Sequence, residues 1–174
     1  LVVLNDEINS AREVTKTDAL RLQTFQSRTT GVLGVVDPDR VVFYRGVVKR
    51  HTAASEFDVT TIAELPRVDV LLVYQDAPGD LIRAAVDLGA RGLVVAAAGA
   101  GATSGTQSDG LGYAIGKGVT VVATTRAGSG RISGTRMFGA PFIGGEDLAP
   151  IKARILLMLA LATAKDAADI QRMF

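Results

Sequence analysis

"VDVLLVYQDAPGDLIRAAVDLGARGLVVAAA", Val68 to Ala98, decides the fold. It opens on an apolar run, turns at Pro78-Gly79, and continues with helical spacing from Asp80 to a stop at Gly89. A second apolar run, "RGLVVAAA", follows directly. Strand, helix and strand within about 30 residues make a βαβ unit, whose two strands lie parallel and whose crossover is right-handed. Continuous apolar strands are expected where helices cover both faces of such a sheet. The pattern then repeats: "DGLGYAIGKG" reads as a helix ending at Gly118, and "VTVVATTR" as a third buried strand.

Downstream, the irregular stretch 127–145 leads through "EDLAP" into a long helix. There Ile155, Leu156, Leu159 and Ala162 or Thr163 fall near one face, while Leu157, Met158 and Leu161 make it apolar nearly all round. A helix of that kind is expected to be buried, in the domain or against a second subunit. A last helix starts at Asp166, a side chain suited to capping. Upstream, "LVVLN" reads as a strand covered on both faces, and "GVLGVV" with "RVVFYRG" as a hairpin turning at "DPDR". Residues 47–66 read as a linker carrying a short helical piece at "TTIAEL" and ending at Pro66. The expected fold class is therefore α/β: the end of a larger N-terminal α/β domain at 1–46, a linker at 47–66, and a smaller parallel-sheet α/β domain at 67–174.

Composition narrows the chemistry. Of 174 residues, 48% are hydrophobic and 21% charged, an ordinary globular balance. The net charge of +1, without runs of like charge, argues against a nucleic-acid partner or a polybasic membrane patch. The longest apolar stretch, from Ile155, is too short to span a bilayer, so no membrane partner is expected. With no cysteine, thiolate nucleophiles, disulfides and cysteine-ligated zinc are excluded. His51 is the only histidine, which argues against a His-rich metal site or a serine triad; no metal or cofactor is expected. Leu1 is not a start methionine and opens directly into a strand, so the chain is expected to be a fragment, a processed product or one half of a split protein. The compartment stays open between periplasm and cytoplasm.

Four places attract chemical interest. "GAGATSGT", from Gly99, leaves a strand as a phosphate loop would, but its glycines are spaced GxGxxxG and no acid ends the next strand. A turn of small residues at the carboxyl edge of the sheet is the stronger reading. Arg126, in "TTRAGSGR", either clamps a carboxylate or orders its own loop, and the second is favoured. His51, between Arg50 and Thr52, reads as a surface or hydrogen-bonding residue rather than a lone base. Lys16, in "AREVTKTDAL", lies between two threonines just after a strand. An exposed lysine is the simple account; a catalytic one needs burial or charged partners.

The ordered set "LVVLNDEINSAREVTKTDALRLQTFQS", "GVLGVV", "HTAASEFDV", "LPRVDVLLVYQDAPGDLIRAAVDLGARGLVVA", "GAGA", "TTRAGSG" and "KARILLMLALATAKDAADIQRMF" resembles bacterial type II L-asparaginases, including the glutaminase-active ones. The resemblance runs along essentially the whole chain. It implies hydrolysis of L-asparagine to aspartate and ammonia, with glutamine as a second candidate, through a threonine nucleophile and an acyl-enzyme. It makes Lys16 the lysine that moves the proton beside a Thr–Asp pair. The nucleophile, the aspartate and most substrate-holding groups are expected upstream of Leu1, on another segment or chain; Thr15 and Thr17 are not their substitutes. The resemblance also implies a homotetramer in which a neighbouring subunit completes the site. Its small polar residue after the GxG loop falls here at Ala102, with the Thr103 and Ser104 hydroxyls next to it. Its second contribution, a glutamate before the last long helix, has no counterpart in 132–145, and Glu146 lies too near the helix to align. Two other readings compete: an amidase subunit of a tRNA-dependent amidotransferase, which the charge disfavours, and a non-catalytic amide-binding or structural module.

Overall fold

A computed structural model describes residues 1–134, 136–137 and 140–174. The chain divides into two compact units, Leu1–Glu56 and Phe57–Phe174, the division falling inside the stretch 47–66.

The first unit is built from short strands. β1 (Val2–Leu4), β2 (Glu7–Asn9), β5 (Gly34–Val36) and β6 (Val41–Phe43) form an antiparallel sheet in the order β1-β2-β5-β6. β3 (Thr15–Lys16) and β4 (Phe25–Gln26) form a separate hairpin. The "DPDR" hairpin forms as its turn residues require, closed by Asp37 N–H donating to Arg40 O at 2.9 Å. "LVVLN", in contrast, is not covered on both faces. Asn5 and Asp6 take left-handed φ values of 50° and 60°, which fold the chain straight back as β2. β1 is thereby an edge strand, with Val3 55% exposed. An apolar run does not say how many neighbours a strand has. "TTIAEL" gives only a 3₁₀ turn at Val59–Thr61, capped by the Asp58 carboxylate.

The second unit is the three-layer α/β domain that the βαβ spacing predicts. β7 (Val68–Leu72), β8 (Gly92–Ala97), β9 (Thr120–Thr125) and β12 (Ile143–Gly144) are parallel, in the order β12-β9-β8-β7. β10 (Arg136–Met137) and β11 (Ala140–Pro141) pair with each other. α1 (Asp80–Asp87) and α2 (Gln107–Gly116) cover one face, around Leu93, Val95, Val121 and Leu111. α3 (Pro150–Thr163) and α4 (Ala167–Met173) cover the other, around Val94, Val122, Leu157 and Ile170. β8 is buried at every residue, as a central strand covered on both faces must be. β7 is the edge, so the "VDVLLVY" run is covered only in part: Val68 is buried while Val70 and Leu72, on the same side of the strand, are exposed. α1 and α2 are followed by Gly89 and Gly118, at φ of 90° and 78°, conformations that favour glycine. Asp166 caps α4 by accepting from Asp169 N–H at 2.8 Å.

α3 corrects one expectation. Its buried line is Ala153, Leu157 and Ala160, one turn apart, rather than the face through Ile155 and Leu159. Ile151 and Ile155 point outward, 69% and 51% exposed. Near-uniform apolarity gave no phase, and the sheet chose the small-large-small line that lets the helix approach closely.

Candidate active site

Lys16 sits in the first unit, on the strand leading into a tight loop. Ser10 O accepts from both Glu13 N–H (3.1 Å) and Val14 N–H (3.0 Å), turning the chain into β3. Lys16 then pairs in register with Phe25. The loop 17–24 closes at its neck: Thr17 N–H donates to Thr24 O at 2.6 Å, and Thr17 Oγ1 donates to the same carbonyl at 3.0 Å. Asp18 N–H donates to the buried Thr24 Oγ1 at 3.1 Å, and Thr24 Oγ1 donates to Asp18 O. Thr17 is thus committed to the neck of the loop, while Thr15 is half-buried. At the tip, Leu20 and Arg21 N–H groups donate to Asp18 Oδ1 at 2.8 and 2.9 Å. The Arg21 and Leu20 amides hold the Asp18 carboxyl below its ordinary range, with a smaller contribution from the Lys16 charge.

Lys16 itself is exposed, with its Nζ 5.5 Å from the centroid of the Phe25 ring. Behind the segment lies a polar lock that sequence reading missed. Glu13 Oε2 accepts from Arg45 Nη2 (2.7 Å) and from Thr30 Oγ1 (2.8 Å). Arg45 also donates to the carbonyls of Val32 and Gly31. Asn9 and Ser27, both buried, add a hydrogen bond of 2.6 Å from Ser27 Oγ to Asn9 Oδ1. Partners 17 to 32 residues apart leave no local signature, so only the register of the sheet brings them together.

The Glu13 lock has a pH consequence. Burial alone raises the Glu13 carboxyl, but the hydrogen bonds from Arg45 and Thr30 outweigh it and hold the group below its ordinary value of 4.5. A carboxyl lowered in the folded state stabilises above its unfolded value, and that stabilisation is lost as pH falls through the folded one. Glu13→Gln is expected to cost the first unit about 1–2 kcal/mol at neutral pH. It should also flatten the acid limb of a stability-against-pH curve read by amide hydrogen exchange in residues 8–33. An unchanged acid limb would show that Glu13 is not the group responsible.

Ala102, Thr103 and Ser104 lie in the second unit, in the loop leaving the carboxyl end of β8. Ala98 and Ala102 exchange backbone bonds at 3.0 and 2.9 Å, closing "AGAGA" into a tight turn, with Ala102 exposed. Ser104 Oγ accepts from Asp76 N–H (2.9 Å), and Thr106 Oγ1 accepts from Gly79 N–H (2.9 Å), latching this loop to the one before α1. Gly105 sits at the seam with φ of 51°, where a Cβ would meet Ala77 O at 2.5 Å. Thr103, half-buried, lines a cavity of about 50 Å³ with Val95, Leu111, Val121 and Phe142, room for a few waters rather than an amino acid. Of the three, Ala102 offers a methyl group, Ser104 has its acceptor engaged, and Thr103 borders an apolar hollow. Ser104→Ala is expected to lower the stability of the second unit by only about 0.5–1 kcal/mol, because water replaces the lost acceptor at an exposed amide; thermal melting checks this.

The remaining sites resolve simply. Glu146 forms two contacts with the Arg131 guanidinium, which occupy its carboxylate. Arg126 is exposed, with its N–H on Ala97 O extending the β8–β9 ladder. His51 is exposed, its Nδ1 3.3 Å from Thr52 Oγ1, and Arg50 pairs with Glu56 at 2.8 Å. Among the described residues no cluster of histidine, cysteine or acidic side chains is placed to hold a metal, and no helix is long and apolar enough to cross a membrane.

Residues 67–174 match the family model of the glutaminase/asparaginase C-terminal domain, and residues 1–49 that of the asparaginase N-terminal domain. L-asparaginase 2 of Bacillus subtilis (strain 168) is 41% identical over 175 residues, covering 100% of this chain and 46% of its own length. L-asparaginase 2 of Escherichia coli (strain K12) is 35% identical over 179 residues, with 100% and 51% covered. Glutaminase-asparaginase of Pseudomonas fluorescens biotype A is 34% identical, with 100% and 49% covered. A solved structure of a probable cytoplasmic L-asparaginase from Campylobacter jejuni superposes with a TM-score of 0.91 at 39% identity, over 98% of this chain and 53% of that one. The chain spans about half the length of the curated relatives it matches.

Proposed function

Because the chain belongs to the glutaminase/asparaginase family, we propose that it carries one part of an amidohydrolase acting on L-asparagine, with L-glutamine as the second candidate substrate. Lys16 is the proton-transfer residue in this reading. The observation that carries it is the construction around Lys16: a two-residue strand held in register by a hairpin, a closed loop neck and the Glu13–Arg45 lock. Together they fix the backbone that carries an otherwise exposed Lys16.

The reaction requires two acyl transfers. A hydroxyl attacks the side-chain carbonyl of the substrate, its proton moves through Lys16 toward the departing ammonia, and water then cleaves the ester to release aspartate. In this reading the hydroxyl nucleophile comes from a segment other than residues 1–174, as the resemblance implies, and Thr17, tied into the loop neck, is not its substitute. Apolar side chains left open on the first unit favour such a segment: Val3, Val41 and Phe43 share one side of the sheet by register, and Leu20 and Leu22 are 91% and 84% exposed. The loop Ala102–Ser104 is assigned to substrate contact from a neighbouring subunit, and the exposed Ile151 and Ile155 of α3 favour the homotetramer this needs.

Hydroxylamine provides the test. In the complete protein, asparagine should give ammonia together with aspartyl hydroxamate, as the acyl-enzyme is intercepted. Ammonia without hydroxamate would contradict the acyl-enzyme, and no ammonia from either amide would contradict the amidohydrolase reading.

A further inference from the structure

We infer that Phe25 is a positioning residue for Lys16, its ring face fixing where the lysine amine sits; for turnover this rests on the role proposed for Lys16 above. Register makes Lys16 and Phe25 direct cross-strand partners, and the Nζ lies 5.5 Å from the ring centroid, within cation–π range. The hydrogen bonds at the neck of this loop, through Thr17, Asp18 and Thr24, act on backbone and hydroxyl groups rather than on the amine, while the Asp18 carboxylate adds a charge attraction to it. The strand and loop fix the Lys16 backbone, which leaves four flexible side-chain torsions to be ordered. The ring supplies that order, since its face attracts an ammonium and offers a flat surface for the methylene stem.

Phe25 is only partly covered, 37% exposed. Other large side chains of this unit are more exposed, Phe43 among them; what singles out Phe25 is its direct register with Lys16 and the amine over its ring. Its effect belongs in kcat rather than KM, because an amine that moves a proton is needed at the reacting centre and not for holding the substrate.

Two readouts from one protein test this. The complete protein is prepared with lysine labelled at Cε, the Lys16 signal being the one lost in Lys16→Met. The ring current of Phe25 should shift that signal upfield in the parent and in Phe25→Tyr, and the shift should vanish in Phe25→Leu. Turnover of asparagine should fall about two- to fivefold in Phe25→Leu with KM within twofold, and Phe25→Tyr should restore it. A Lys16 signal without an upfield shift in the parent would overturn the inference, as would Phe25→Leu with unchanged kcat or Phe25→Tyr as impaired as Phe25→Leu. The two accounts fail separately. A parent lacking amidase activity contradicts the function while the ring-current shift still decides the contact.

Discussion

Lys16→Met, in the protein complete with its nucleophile, is expected to lower kcat for asparagine by about 10²- to 10⁴-fold, with KM changed by less than about threefold. Methionine keeps the unbranched stem and loses only the amine. The surrounding bonds survive, because the neck of the loop is closed by Thr17, Asp18 and Thr24 and the lock behind it by Glu13 and Arg45. Even the ring contact is kept in part, as a thioether also packs against an aromatic face. Steady-state kinetics and a melting curve therefore separate chemistry from folding: kcat should collapse while the midpoint hardly moves. A variant retaining full turnover would remove Lys16 from the mechanism.

Leu157→Ala should produce the largest loss of stability, about 3–5 kcal/mol in the second unit. Leu157 is fully buried at the centre of the α3 face, among Val68, Val94, Val122 and Ile170. Removing its side chain opens a cavity against a sheet that cannot move in to fill it, because β8 is held by β7 and β9 on its two sides. A fall of about 10–20 °C in the melting transition of residues 57–174 is expected. Ile155→Ala, on the same helix but outward, should cost under about 1 kcal/mol in an isolated chain. Equal effects at the two positions would mean that the helix is seated in another rotation.

The contrast between those two residues shows how much was legible beforehand. The parallel sheet and both of its first crossover helices could be read directly, since Asp80, Gly89, Gly118 and Asp166 punctuate runs whose period changes between strand and helix. The phase of α3 could not be, because a helix apolar nearly all round carries no moment and its buried line is set by the sheet. Edge and centre strands were likewise indistinguishable: "LVVLN" and "LVVAA" open on the same Leu-Val-Val run, yet one lies at the rim and the other is fully covered. At the proposed site, Lys16 was singled out by an ordered resemblance, not by spacing. Phe25, Glu13 and Arg45 were not, since cross-strand pairs and long-range ion pairs exist only once the register is set. Ser104 was legible as a hydroxyl beside the GxG loop, but its bond to Asp76 depends on how two loops meet.

The central claim is that Lys16 serves a nucleophile supplied from outside these 174 residues. Ammonia release from L-asparagine should be measured for the chain alone, and again with the remainder of the Bacillus subtilis relative joined ahead of Leu1. The account predicts no turnover for the chain alone and Lys16-dependent turnover for the joined protein. Full activity in the chain alone, or a folded joined protein that releases no ammonia, would contradict it.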